Sequence, residues 1–175
     1  MKRISNTVRF VGLAALVAAS TSCGSVVRDS SSPVYLVIDL LTASRGAGTP
    51  GPQTLRAPLK DIGANLSPTT NNEVTINRFH IDYIRADGHN VQGVDVPYSV
   101  DGAMTGTVPA GGNVQLGFEI VRHTAKQESP LVELQTSPNI IVTFARITFY
   151  GQDRTGNAVS VTGQIQVNFG NFGDF

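Results

Sequence analysis

From Val159 to Phe169 the chain alternates in type. Val159, Val161, Ile165, Val167 and Phe169 share one parity; Ser160, Thr162, Gln164, Gln166 and Asn168 share the other. Period two is how a β-strand turns one face to a core and the other to water. A helix would scatter the same residues around its axis. The segment therefore predicts a half-buried strand, and one strand cannot bury a face alone. The rest of the chain has to supply more sheet.

It does so in both directions of the pattern. "NIIVTFARITFY", residues 139–150, is apolar on both parities and predicts a central strand directly before the alternating one. The loop between them, "GQDRTGN", then joins antiparallel neighbours. Gly151, Gly156 and Asn157 are expected at positive φ, with Asp153 accepting backbone N–H groups across the turn. "NVQLGFEIVRH" sets Val114, Leu116, Phe118 and Ile120 against Gln115, Gly117, Glu119 and Val121, a second half-buried strand. In "EVTINRFHIDYIRAD", residues 73–87, Val74 and Ile76 share one parity, while Phe79, Ile81 and Tyr83 share the other. One core cannot take both sets along a regular strand, so a bulge or a crossover between sheets is expected near Asn77 and Arg78.

Weaker segments complete the set. Residues 34–42, "VYLVIDLLT", predict a strand covered on both faces or exchanged between sheets, and Leu55, Ala57 and Leu59 share one face of a short strand. A short edge strand is expected around Val94–Tyr98, where Pro97 cannot donate to a ladder, and "LVELQT" is a further short candidate. Asp87-Gly88, Asp101-Gly102 and Gly111-Gly112 read as corners, and residues 43–53, "ASRGAGTPGPQ", as a long surface excursion. With 18 Gly, 9 Pro and 15% charged residues, the chain fits one all-β domain with frequent turns. The expected fold class is an all-β, immunoglobulin-like antiparallel β-sandwich of about seven strands, with a lipocalin-like barrel as the alternative. Loss of Phe118 or Phe144 from its core is expected to matter more than loss of any surface charge.

The corner Gly151-x-Asp153-x-x-Gly156-Asn157, between the last two strands, resembles that of bacterial immunoglobulin-like and fibronectin type III-like domains. The resemblance covers residues 73–170. It implies that Asp153 shapes the final hairpin and is a corner residue, not a ligand. The Cys-Trp-Cys core of antibody-type domains is missing, as the chain has one Cys and no Trp.

The N-terminus carries an address. Lys2, Arg3 and Arg9 precede the apolar run "FVGLAALVAA", and Ala19, Ser20, Thr21 and Ser22 lead into Cys23. The run is half of the roughly 20 residues that span a bilayer, so it reads as an export signal. Residues 1–22 resemble a bacterial lipoprotein signal, with Ser20 where Leu is usual. That resemblance implies a lipidated Cys23 as the first mature residue, and Gly24 after it implies outer-membrane retention, facing periplasm or exterior. The alternative is ordinary cleavage nearby, leaving Cys23 a free thiol. Residues 23–33 then form a flexible tether, and 34–175 the sandwich.

Little chemistry is written between these strands. Without the three leader cations, ten basic residues stand against thirteen acidic ones, and no basic stripe remains to neutralise phosphates. Nucleic acid is not an expected partner. Arg78, His80 and Asp82 share one parity and form the most reactive-looking cluster, a His beside a carboxylate. The plainer reading is a solvent face opposite Phe79, Ile81 and Tyr83. His80, His89 and His123 lack ligand spacing. "DRTGN" and "VDVPYSVDG" carry oxygen ligands without a calcium-loop pattern, and no phosphate loop, nucleophile elbow or repeat is present. No metal or cofactor is expected. The final "GNFGDF", with Phe169, Phe172 and Phe175, is expected to cover an open sheet edge or to present aromatics to a partner.

The leading expectation is a lipid-anchored, non-enzymatic envelope protein with a structural, adhesive or protein-binding role. Its partners would be the membrane, through the anchor, and another envelope protein. A module binding a small molecule, a glycan or calcium comes second, and a hydrolase using His80 and Asp82 third.

Overall fold

The structure, a computed structural model, describes residues 32–42, 51–60 and 67–172. The leader, Cys23, most of the tether and Phe175 lie outside the described residues. Seven strands form: β1 Val37–Leu41, β2 Gly51–Arg56, β3 Val74–Ile84, β4 Val100–Val108, β5 Asn113–Phe118, β6 Ile141–Asp153 and β7 Ala158–Phe169. All pair antiparallel, as a three-stranded sheet β1-β2-β5 and a four-stranded sheet β4-β3-β6-β7. The protein is an all-β sandwich of seven strands, as the alternation requires.

The inner faces meet through Leu55, Leu116 and Phe118 on one side and Ile76, Phe79, Ile81, Ala145, Ile147 and Phe149 on the other, all buried. Phe118 is the keystone of this layer. Its ring centroid lies 4.5 Å from that of Phe79 and 5.4 Å from that of Phe149, the latter edge-on. Tyr83 closes one end: its hydroxyl donates to the Ile120 carbonyl at 2.6 Å, and its ring meets Phe169 edge-on at 5.7 Å.

The phase slip in residues 73–87 is a bulge. The register of β3 shifts between Ile76 and Arg78 against both of its neighbours, β4 and β6. That single shift lets Val74 and Ile76 enter the same core as Phe79, Ile81 and Tyr83.

Several expectations need correction. Residues 34–42 are neither covered on both faces nor exchanged: β1 is an edge strand whose ladder slips between Ile38 and Leu40, and Leu40 is left exposed. β2 begins at Gly51, inside the supposed excursion. The misleading residue is Gln53, fully buried on the parity of Leu55. Its amide accepts the Thr42 N–H at 2.9 Å and donates to the Thr42 carbonyl at 2.6 Å, so a polar side chain serves as a ladder partner. Residues 94–98 form a turn with one isolated bridge, Gln92↔Val96, instead of a strand. The strand is β4, and it runs straight through Asp101-Gly102. Gly102 is there because the Phe79 ring occupies the space of a Cβ, not because the chain turns. "LVELQT" is also no strand. Residues Val132–Thr136 form a 3-10 helix, as do His123–Gln127 before them, and Ala125, Leu131 and Leu134 are buried. Finally, β6 is central in its sheet yet has one bare face. Phe144 is 38% exposed and belongs to that face, not to the core.

Candidate functional site

Polar side chains among the sequence candidates gather in three places; turn residues set the first, and pairing across strands assembles the other two. The first is the corner between β6 and β7, closed by pairing of Gln152 with Ala158. Asp153 is buried, with 5% exposure. Its Oδ1 accepts the Thr155 N–H at 2.9 Å, the Thr155 hydroxyl at 2.7 Å and the Asn157 N–H at 2.9 Å; Oδ2 accepts the Asn157 amide at 3.0 Å. The Ser32 side chain adds a further hydrogen bond. Burial alone pushes the Asp153 carboxyl up, but the bonds from Thr155, Asn157 and Ser32 together outweigh it and hold the group well below the usual carboxylate range.

The corner also holds neighbouring chain. Arg154 donates its N–H to the Glu73 carbonyl at 3.2 Å and pairs with the Glu73 carboxylate at 2.6 Å. Ser32 is buried, and the Pro33 carbonyl accepts the Lys60 N–H at 2.8 Å, so both residues belong to the sandwich although they fall in the segment read as tether. Gly156 takes the positive φ expected of it, 89°; Gly151 does not, since it lies within β6. With its lone pairs engaged by N–H and O–H donors, Asp153 works as a structural clamp.

The second place is the outer face of the four-stranded sheet. His80 Nδ1 lies 2.8 Å from Asp101 Oδ1, and Nε2 lies 3.0 Å from Asp82 Oδ1. Arg146 donates to Asp82 Oδ2 at 3.2 Å. Register explains the set: His80 is paired with Asp101 of β4, and Asp82 with Arg146 of β6. A neutral imidazole has one N–H, so facing two carboxylates favours the imidazolium, which donates to both. The Asp101 hydrogen bond raises the His80 pKa most; partial burial opposes it, and Asp82 adds to the rise. Neither ring nitrogen is free to take a proton from a nucleophile in this arrangement.

The sign of the resulting pH dependence follows from that rise. A raised folded-state value gives stabilisation that is fully present below the unfolded value of about 6.5 and lost as pH climbs through the folded one. Because Asp101 is largely exposed, the expected margin of wild type over His80→Gln is under about 1 kcal/mol. Urea unfolding at about pH 5.5 and about pH 8.5 checks this, with the margin appearing only at the lower pH. A margin that persists at the higher pH means packing, not charge, holds His80.

The third place lies beside the β3 bulge. The Arg78 guanidinium sits over the Tyr150 ring, 4.0 Å from its centroid. Asn77, Gln152 and Ser160 complete a shallow, open depression of about 220 Å³.

The remaining candidates stay apart. His80 lies in β3, His89 in the following loop beside Asp87, and His123 at the start of a 3-10 helix. Among the described residues, no three His, Cys, Asp or Glu side chains converge to hold a metal. Within "VDVPYSVDG", Asp95 accepts the Val91 N–H at 3.0 Å and Asp101 faces His80, so both carboxylates serve local structure. Phe169 is buried, whereas Phe172 is 59% exposed, its ring edge filling the space a Cβ on Gly170 would take. Asn171 donates to the Gln135 carbonyl at 2.9 Å, so this part of the tail docks there instead of running along β7. Among the described residues, no helix is long and apolar enough to cross a membrane.

Sequence spacing missed Asp101, Arg146, Tyr150 and Ser32 as members of these clusters. Each joins from another strand or from the start of the domain, and only the tertiary structure brings it in. Comparison with protein-family models, curated proteins and solved structures gives no match to this chain.

Proposed function

We propose that the chain is a lipid-anchored protein of a bacterial envelope, in which an immunoglobulin-like sandwich plays a structural or adhesive, non-enzymatic role. The observation that carries this reading is the one cysteine of the sequence, Cys23, placed directly after a charged, apolar and small-residue leader. The immunoglobulin-like assignment draws support from strand order. A constant-type domain divides its seven strands as 1-2-5-4 and 3-6-7. This chain keeps 1-2-5 and 3-6-7 and differs in the fourth strand, which pairs with the third. The non-enzymatic reading draws support from the titratable clusters, whose members satisfy one another.

Metabolic labelling with a fatty acid tests the anchor. The wild-type chain is expected to take up label in a bacterial host, and Cys23→Ser to lose it. Label retained by Cys23→Ser overturns the reading.

A glycan-binding role is the second reading, favoured by the depression where Tyr150 and Arg78 adjoin Asn77 and Gln152. An aromatic ring with amides and a guanidinium suits sugar hydroxyls. A glycan array that binds wild type but not Tyr150→Ala supports it; no binding to wild type removes it.

A further inference from the structure

Among the described residues, four strands lie at sheet edges: β1 and β5 in one sheet, β4 and β7 in the other. An unpaired edge is a template for another chain, and folded proteins blunt it with short strands, bulges or charges. Three of the edges carry such devices. β5 is 6 residues long. β1 has 5, with a register slip at Asp39, whose carboxylate pairs with Arg56. β4 pairs through the bulge at Ile76/Arg78 and bears Asp101. β7 has none of them. Its 12 residues, AVSVTGQIQVNF, contain no charge and no proline, and they pair with β6 without a break from Ala158 to Phe169.

We propose that the free edge of β7 is a self-association surface, on which β7 of a second copy of this chain pairs antiparallel to join two four-stranded sheets into one. The partner is argued from complementarity. An uncharged edge meets its own copy without repulsion, and its alternation matches itself across a two-fold axis. With Gln164 opposite Gln164, Thr162 faces Gln166 and Ser160 faces Asn168 on the outer side. On the inner side Val161 faces Val167, and Val159 faces Phe169. Polar thus meets polar and apolar meets apolar along the ladder.

The inner side also has something to gain. Val159, Val161, Ile165 and Val167 are only half-buried. The seam between β1 and β7 leaves a depression of about 440 Å³, whose lining includes Ile38, Leu41, Val161 and Gly163. A second copy brings its own valines alongside this seam. The inference rests on the proposed binding role of the domain and names its partner.

Single-cysteine crosslinking of the full chain tests it. In a Cys23→Ser background, the outward, exposed residues Ser160, Thr162, Gln164, Gln166 and Asn168 are each replaced by Cys and oxidised. Only a residue near the two-fold axis meets its own copy within disulfide reach. The dimer yield is therefore expected to peak at Gln164 and to fall by about tenfold at Ser160 and Asn168. Sedimentation equilibrium is expected to show a Cys23→Ser dimer that Gln164→Lys converts to monomer without changing the unfolding midpoint of the monomer. A flat yield across the five positions, or a Cys23→Ser chain that sediments as monomer, overturns the pairing. A monomer whose wild-type form still takes up fatty acid overturns this inference and leaves the anchor standing.

Discussion

Phe118→Ala is expected to destabilise the domain by about 4 kcal/mol, and Phe144→Ala by less than about 1 kcal/mol. Both rings sit on strands and both look like core in the sequence, so the contrast isolates placement. Phe118 is 6% exposed and bridges the two sheets through Phe79 and Phe149. Removing its ring forfeits the transfer of the side chain from water and leaves a cavity between close-packed layers. Phe144 projects from β6 on the outer face, where water already reaches it. Urea unfolding of the two variants against wild type measures the difference. Equal losses would mean that the outer face of β6 is covered in solution.

Asp153→Ala is expected to cost about 3 kcal/mol at neutral pH, because it removes the one charged acceptor that ties together the N–H and hydroxyl of Thr155 and the N–H and side-chain amide of Asn157. Asp153→Asn tests the charge separately, since it keeps the volume but turns an NH₂ group toward donors. The hydrogen bonds hold the folded carboxyl below its ordinary range despite its burial. A depressed folded value gives stabilisation that is present above the unfolded value of about 3.9 and lost as pH falls toward the folded one. The lead of wild type over Asp153→Asn should be flat between about pH 5 and 8 and shrink below about pH 4. Urea midpoints across that range check it. A lead that does not change on acidification would show that the corner is held by shape alone.

The β3 bulge was legible because two apolar sets on opposite parities cannot share a core without a slipped residue. The final hairpin was legible because its Gly156 and Asp153 have local work to do, closing a turn between two alternating strands. Asp101-Gly102 misled for the opposite reason. Glycine marks a turn and a close approach equally well, and only the Phe79 ring of the neighbouring strand tells them apart. The His80 cluster was half legible: Asp82 shares its strand and parity, whereas Asp101 and Arg146 arrive from two others.

By itself the sequence determined that this chain builds sheet, where its clearest strands turn, and which parity of each faces inward, since alternation and turn chemistry act over a few neighbouring residues. The tertiary structure decided which strands are edges, which aromatic is core, and which charges meet. Those depend on pairing between residues as far apart as Asp82 and Arg146, and the energy of a pair exists only once the register has set its distance.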